Sequence, residues 1–271
     1  MPNDPVKSKG PFRAHQVHEG DRYELSRGNP IYCAPAGGRH ASKSVTGALA
    51  IASDPAVEEA GLDAGFKSDD DATLRAPDIS VGNVPDAPGW VRGAPPLAVE
   101  YADTGQDEAD LLDRIRDLHA GGTRIIWVVR LVGPQRVEIH EPDQAARVVG
   151  IDDELLAPGI LQNPVPVRAL FDRDTAQEVT LRNLLQRRGY EGIESIKAEG
   201  KAEGRAEGKA EGRAEGKAEG TAAAIVAVLR SRGIEVDATA ERTIMSATDQ
   251  DQLDRWLAVA AMVEQVDDLF R

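Results

Sequence analysis

Two short apolar runs, each with one carboxylate, constrain the fold of this chain more than any other feature. Residues 75–81 (RAPDISV) place Asp78 directly after a proline, and residues 95–100 (PPLAVE) end on Glu100. Apolar runs of this length predict β-strands. Carboxylates on neighbouring strands can share a divalent cation, because Mg²⁺ and Ca²⁺ prefer oxygen ligands. The two runs therefore predict a sheet that brings Asp78 and Glu100 together.

The hydrophobic pattern around these runs predicts the fold class. Gly28-Asn29-Pro30 is typical of a turn and predicts a hairpin over residues 23–32. Apolar residues at helical spacing predict helices over 40–53 and 107–119. Further strands are predicted at 64–66, 76–81, 97–101, 123–131 and 135–140. This order indicates an α/β (α+β) fold, a mixed β-sheet flanked by helices, followed by a helical tail.

Three features between the predicted elements have competing interpretations. Residues 82–96 are rich in proline and glycine and predict a loop, in which Trp90 either packs over the sheet or contacts a substrate. The acidic run 69–71 lacks the ligand spacing of a calcium loop, so a solvated hairpin tip is predicted. Cys33 has no partner cysteine and is predicted to be a buried strand residue.

Composition limits the function classes. A net charge of -14 argues against a protein that coats DNA, since nonspecific DNA affinity comes mainly from cations. A metal-dependent nuclease tolerates this charge if divalent ions neutralise its site and arginines line the cleft. The candidates for such arginines are Arg75, Arg92, Arg114 and Arg116.

The chain ends and the single cysteine bear on location. One cysteine excludes an internal disulfide, and no apolar run approaches the length that spans a bilayer, so no membrane association is expected. Residues 1–20 are polar, without the apolar region of a signal peptide, and are predicted to be disordered. A cytoplasmic protein is expected.

A tetrapeptide repeat separates the tail from the rest of the chain. Six copies of Lys/Arg-Ala-Glu-Gly run from Lys197 to Gly220. The period of four places like charges at i,i+4, and glycine in every copy costs about 1 kcal/mol relative to alanine. A solvated spacer and a helix that presents an Ala/Gly stripe to a partner helix are both consistent with this pattern.

The last segment is predicted to be helical. A helical run from Thr221 stops at Gly233, and a capping box at Thr248 opens an amphipathic helix. These few helices cannot bury themselves alone, which indicates an oligomerisation or docking module, most simply for a homo-oligomer. The predicted divisions are 1–20, a nuclease-like domain at 21–175, a helical connector with the repeat at 176–220, and the association module at 221–271.

The order and spacing of several segments resemble the Uma family of the PD-(D/E)xK nuclease superfamily, over about residues 23–171. The matching segments are 22–28 (RYELSRG), His40, 64–66 (AGF), 74–78 (LRAPD), 98–100 (AVE), 122–129 (GTRIIWVV), 158–160 (PGI) and 169–171 (ALF). The resemblance implies a restriction-endonuclease-like fold and hydrolysis of DNA with Mg²⁺, or with Mn²⁺ as the alternative ion. The helical tail behind a charged glycine repeat also resembles tails of recombination-promoting and transposase-like proteins.

The resemblance implies roles for individual residues. Asp78, Glu100 and the backbone carbonyl of Tyr101 would be metal ligands, and Glu24 would complete the metal shell or pair with a surface arginine, Arg22 or Arg27. His40 would contact a phosphate, orient a water or make a local hydrogen bond.

One departure from the family concerns the lysine of the helix after Val-Glu. The aligned residue is Arg114, which either stabilises the transition state or pairs with Asp110 or Asp117 on its helix. A guanidinium stays protonated, so it cannot easily help to deprotonate water. Ala102 occupies the position where other nucleases of the superfamily have the lysine. The sequence therefore predicts a metal-dependent endonuclease, with a catalytically impaired binding or assembly protein and a transposase-associated accessory protein as alternatives.

Overall fold

The computed structural model describes residues 10–105 and 107–271. The chain divides into an N-terminal unit, which ends at Gly192, and a C-terminal unit, which begins at Ile193. The candidate site lies in the N-terminal unit.

The larger sheet of the N-terminal unit has six strands in the order β11-β10-β9-β8-β6-β3. Strands β8 and β9 run parallel, and the other neighbours in this sheet are antiparallel. Residues 97–102 and 125–129 are buried throughout, as expected for central strands covered on both faces. The strands are β3 (Ala60–Gly61), β6 (Ile79–Val81), β8 (Leu97–Ala102), β9 (Ile125–Arg130), β10 (Arg136–His140) and β11 (Arg147–Gly150).

A smaller five-stranded sheet has the order β2-β1-β5-β4-β7. Its hairpin β1–β2 pairs Tyr23 with Tyr32, which confirms the predicted hairpin. The strands are β1 (Tyr23–Ser26), β2 (Asn29–Tyr32), β4 (Phe66–Lys67), β5 (Leu74–Arg75) and β7 (Val91–Arg92). A separate pair joins β12 (Glu154–Leu155) to β13 (Val165–Pro166).

Helices cover both faces of the larger sheet. On one face, α1 (Gly38–Ala52) and α3 (Arg173–Arg187) pack over residues such as Val99 and Trp127. On the other, α2 (Glu108–Gly121) buries its apolar side against alternate residues of β8 and β9. Short 3-10 helices lie at Ala14–Gln16 and Val167–Leu170. The mixed sheet flanked by helices and followed by a helical tail confirms the predicted fold class.

The predicted strand 76–81 was wrong in one respect. Leu74–Arg75 belongs to the smaller sheet and Ile79–Val81 to the larger one, so the Pro-Asp segment crosses between the two sheets. Pro77 lacks an N–H for a strand ladder, which is why the strand is interrupted there. Asp78 therefore lies immediately before β6, the strand between β8 and β3 in the larger sheet.

The prediction of a disordered N-terminus was wrong for residues 10–20. Phe12, Ala14 and Val17 are buried with Leu25 and Leu74 over the smaller sheet. Apolar side chains spaced two and three residues apart, in a segment that is otherwise polar, are enough to anchor it there. Residues 1–9 lie outside the described part of the chain.

Trp90 packs over the smaller sheet, as one of the two interpretations predicted. Its indole N–H donates to the carbonyl oxygens of Ala14 and Val17, at 3.2 and 3.1 Å. The acidic run forms the turn between β4 and β5, where Asp70 accepts hydrogen bonds from Ser68 and from the amide of Ala72. This confirms the predicted hairpin tip.

Gly47 of α1 marks a close approach between that helix and β8. A Cβ at this position would overlap the hydroxyl of Tyr101, which donates to the carbonyl of Leu170 at 3.3 Å. We expect Gly47→Ala to lower the free energy of unfolding by about 1–3 kcal/mol, as overpacked cores do. Urea unfolding measures this effect.

Gly212→Ala provides a matched control, because Gly212 is also inside a helix but has open space around it. Both changes gain the same helix propensity, about 1 kcal/mol at most, so their difference reports the overlap with Tyr101. Equal stabilities for the two variants would show that α1 shifts freely.

The C-terminal unit consists of helices. The repeat is helical, part of α4 (Ile193–Ser231), and every side chain from Lys197 to Lys217 is exposed. The last turns of α4 bury Ile225 and Leu229 against α5 (Ala238–Met245), α6 (Gln250–Ala260) and a 3-10 helix at Val266–Phe270.

The predicted capping box at Thr248 was wrong by one residue. Asp249 is the N-cap, and its carboxylate accepts hydrogen bonds from the amides of Asp251 and Gln252, as an N-cap aspartate commonly does. Within the described residues, no helix is both long and apolar enough to cross a membrane.

Candidate active site

The register of the larger sheet brings the two predicted metal-ligating carboxylates together. Strands β6 and β8 are antiparallel, with Ile79 opposite Val99. Carrying this register one residue further places Asp78 opposite Glu100. Directly opposed residues of an antiparallel pair have Cβ atoms about 4.5–5.5 Å apart. The charge of Asp78 also raises the pKa of Glu100, as expected for neighbouring acids.

Asp78 is held by two elements. Its Oδ2 accepts a hydrogen bond from the backbone N–H of Tyr101 at 2.6 Å, and its Oδ1 lies 3.0 Å from Nε2 of His40. His40 is in the first turn of α1, so the helix positions the imidazole over the strand ends. The hydrogen bond to Asp78 raises the pKa of His40, which favours its cationic form beside the carboxylate. His40 is therefore placed in direct contact with one of the two proposed ligands.

Glu100 has one oxygen that is bonded and one that is not. Its side chain is 5% exposed, and its Oε2 accepts a hydrogen bond from Arg114 at 2.8 Å. Oε1 is buried and has no hydrogen-bond partner among the described residues. Burial, together with the charges of Asp78 and Glu24, raises the pKa of Glu100 to about 8, although Arg114 opposes the shift. Such a carboxylate is poised to accept a further cation, because desolvation without a full set of partners is costly.

Arg114 joins two carboxylates. While Nη1 donates to Glu100, Nη2 donates to Oε1 of Glu24 at 3.0 Å. Burial lowers the pKa of Arg114, but the charges of Glu100 and Glu24 outweigh this and raise it above its usual value. The alternative in which Arg114 pairs with Asp110 or Asp117 of its own helix was wrong. The guanidinium projects from α2 into the acidic cluster, at the place where the family resemblance put a basic side chain.

Glu24 and Arg75 belong to a buried network beneath this cluster. Arg75 donates to Oε2 of Glu24 at 3.1 Å and to Oδ2 of Asp117 at 2.8 Å, and Ser26 also donates to Asp117. The predicted alternative of a surface pair between Glu24 and Arg22 or Arg27 was wrong, because Glu24 is buried. Arg75 was also wrongly predicted to line the cleft. It is 2% exposed and fully engaged by carboxylates, so no phosphate can reach it.

The other candidate cations lie away from the cluster. Arg92 pairs with Asp69 at the β4–β5 turn, and Arg116 pairs with Asp113 on the outer side of α2. Both arginines are exposed and already neutralised. Neither contacts Asp78 or Glu100 in the structure.

Two residues near the cluster were not predicted to belong to it. Cys33 follows β2 rather than lying within it, and is half-buried; burial and the adjacent Glu24 raise its pKa to about 11, so the thiol is protonated. Asp63 follows β3, where partial burial and the charge of Asp78 raise its pKa. The sequence signal for Asp63 is its position just after the edge strand that pairs with the Asp78 strand, which requires the sheet order to be known.

The donor set can be tested against a divalent cation. Among the described residues, no three His, Cys, Asp or Glu side chains converge as a metal-binding group. Two carboxylates are close together, however, and the free Oε1 of Glu100 matches the preference of Mg²⁺ for oxygen. A backbone carbonyl and waters commonly fill the other positions around this ion. The residues present therefore fit a site with two carboxylates and a carbonyl, and Tyr101 is the neighbour that could supply the carbonyl.

Comparisons with known proteins point to nuclease-like relatives. Residues 11–165 match the model of the Uma2 family, described as "Putative restriction endonuclease". Among solved structures, a "putative nuclease belonging to DUF820" from Anabaena variabilis is similar with a TM-score of 0.50 and 19% sequence identity, over 61% of this chain and 99% of that chain. At this identity the similarity shows the fold alone. No curated protein matched the chain. Because the family model spans more than half of its residues, the chain belongs to the Uma2 family of "putative restriction endonucleases".

Proposed function

We propose that the chain is a metal-dependent endonuclease that hydrolyses phosphodiester bonds of DNA. Asp78, Glu100 and the carbonyl of Tyr101 would hold Mg²⁺, or Mn²⁺ in its place. The observation that carries this proposal is the buried Oε1 of Glu100, which has no hydrogen-bond partner among the described residues while Asp78 lies opposite it. When bound, the cation would supply positive charge to the scissile phosphate and acidify water for the attack.

The side chains around the carboxylates have separate tasks in this proposal. The fixed charge of Arg114 stabilises negative charge that develops on the phosphate, a role that needs no proton transfer. His40 donates a hydrogen bond to a phosphate oxygen or orients a water, which its raised pKa favours. Glu24 holds Arg114 in place and, through Arg75, ties the site to the smaller sheet. The Tyr101 amide fixes the orientation of Asp78.

The alternative is a catalytically impaired nuclease-fold protein that acts as a binding or assembly module. Arg114 favours it, since the guanidinium already neutralises Glu100 and Glu24 and cannot act as a base. The net charge of -14 also favours it. Both functions are compatible with the proposed self-association through the C-terminal helices.

Plasmid nicking separates these two functions. We expect purified protein to nick supercoiled plasmid with Mg²⁺ or Mn²⁺ and to stop when EDTA is added, with Asp78→Ala and Glu100→Ala as controls for a contaminating nuclease. No cutting with either ion would favour the binding module. Arg114→Lys restores the side chain of the family, so nicking that appears or increases in this variant would show that the arginine restrains the wild-type chain.

A further inference from the structure

The outer side of helix α3 exposes two leucines to solvent. The helix buries Ala176, Val179 and Asn183 against the rest of the N-terminal unit. Leu181 and Leu184 are 46% and 49% exposed. A helix turns about 100° per residue, which places Leu181 opposite the buried residues, at the centre of the exposed side.

The exposed side of α1 continues this apolar surface. Val45 and Leu49 lie one turn apart on α1, and each is 51% exposed. The two helices are joined nearby, because Asn183 donates to the carbonyl of Ala50 at 3.3 Å, and Leu49 and Leu184 are the exposed neighbours of that bonded pair. Apolar side chains grouped on adjacent helices are typical of a surface that another protein covers. This α1–α3 face consists of Val45, Leu49, Leu181 and Leu184.

The charges along α3 indicate which partner fits this face. Asp174 lies seven residues before Leu181, and Arg188, at the C-cap, lies seven residues after it. Seven residues make about two helical turns, so both charges lie on the exposed side with Leu181. Glu178 lies between Asp174 and Leu181 on the same side. The side chains of Asp174, Glu178 and Arg188 are exposed, without a hydrogen bond or ion pair to any other described residue.

A second copy of the chain matches this pattern. Two α3 helices that pack antiparallel about a twofold axis at Leu181 place Asp174 of each copy beside Arg188 of the other. A twofold interface is isologous, so this contact forms twice, whereas a parallel pair would bring like charges together. Burial of the apolar side chains at the centre supplies most of the free energy of association. Exposed ion pairs at the ends add little free energy but select the orientation of the helices.

We infer that the α1–α3 face is an interface between two copies of the chain, with their α3 helices antiparallel. This inference goes beyond the proposed function, since the interface forms whether or not the chain cuts DNA. It is also separate from the association proposed for the C-terminal helices, because α1 and α3 belong to the N-terminal unit. Two copies joined in this way carry two candidate sites in one particle.

Leu181→Asp tests the centre of the interface, because it places a carboxylate at the twofold axis, where it meets the same carboxylate of the other copy. Sedimentation equilibrium of the full-length chain measures the dissociation constant. We expect this constant to rise at least about tenfold, since burying a charge without a partner is costly. Far-ultraviolet circular dichroism checks that the variant is folded.

Leu112→Asp is the matched control. Leu112 is a leucine of similar exposure, 52%, on helix α2, which packs on the other face of the larger sheet. Its dissociation constant should equal that of the wild type. A monomeric wild type, or equal constants for Leu181→Asp and Leu112→Asp, would overturn the inference.

Charge exchange tests the antiparallel arrangement. Asp174→Arg alone and Arg188→Asp alone bring like charges together at both ends of the interface. Each should raise the dissociation constant about threefold to tenfold, the effect expected for exposed pairs. The double variant restores opposite charges, so its constant should return to within about twofold of the wild type. A double variant that associates as weakly as the single variants would show that an antiparallel second copy does not cover this face, and the inference would fail.

Discussion

Replacing Arg75 with alanine is expected to lower the free energy of unfolding by about 3–5 kcal/mol, the cost of removing one partner from a buried ion pair. Arg75 is 2% exposed and lies between Glu24 and Asp117, whose side chains are 9% and 5% exposed. Without the guanidinium, Asp117 keeps Ser26 and the longer contact to Arg27, and Glu24 keeps its ion pair with Arg114. Urea unfolding followed by circular dichroism measures the change.

Arg92→Ala is the control for this prediction, because Arg92 is in the same five-stranded sheet and also pairs with one aspartate. Its side chain and that of Asp69 are 72% and 80% exposed, so the expected loss is below about 1 kcal/mol. If Arg75→Ala were no more destabilising than Arg92→Ala, the buried network would not support the site. In that case the nicking activity of folded Arg75→Ala would not report on the position of Glu24.

Much of the fold could be predicted from local pattern. Turn residues at Gly28-Asn29-Pro30 predicted the first hairpin, although the structure turns at Arg27-Gly28 and pairs Asn29 and Pro30 within β2. Helical periodicity predicted α1 and α2 to within a few residues. The two acid-bearing strands were predicted as neighbours, and they pair in the larger sheet. These features depend on residues close in the chain, where spacing reports directly on which side chains share a face.

The partners of the charged side chains could not be predicted in the same way. Arg114 pairs with Glu24, which is ninety residues away. Arg75 of β5 pairs with Asp117 of α2. Nothing in the spacing of Arg75 distinguishes a cleft arginine from a buried one, because that depends on the junction between two sheets at Pro77.

The helical repeat shows a further limit of local reasoning. Glycine in every copy and like charges at i,i+4 disfavour an isolated helix, yet the repeat continues into a buried C-terminal part of α4. Because helix nucleation is the costly step, a packed end can propagate the helix through a weak segment. A helix turns about 100° per residue, so the Ala/Gly stripe shifts by about 40° with each copy. A straight partner helix could therefore follow the stripe for only a few copies.

The largest change in activity is expected for Glu100→Gln. A bound divalent cation contributes several kcal/mol of transition-state stabilisation, and at about 1.4 kcal/mol for each tenfold the expected loss of Mg²⁺-dependent nicking is about a thousandfold. Glutamine keeps the shape of Glu100 but is a poor ligand for Mg²⁺. Burial raises the pKa of Glu100 to about 8, so the fold disfavours its charge, and a neutral side chain should leave the stability within about 1 kcal/mol of the wild type. Plasmid nicking and urea unfolding of the same preparation measure both quantities.

Glu138→Gln is the matched control for Glu100→Gln. Glu138 lies on the same sheet, since Glu100 is opposite Val128 and Val128 is opposite Glu138, and it is also bound by an arginine, Arg130. It has no contact with Asp78 in the structure, so its nicking rate should stay within about twofold of the wild type, as for a change outside the active site. If the two glutamine variants nicked DNA equally well, cleavage would not depend on the carboxylate pair. If Glu100→Gln lost activity and stability together, Glu100 would hold the fold rather than a cation. A variant that lacks only a metal ligand should lose activity and keep its stability.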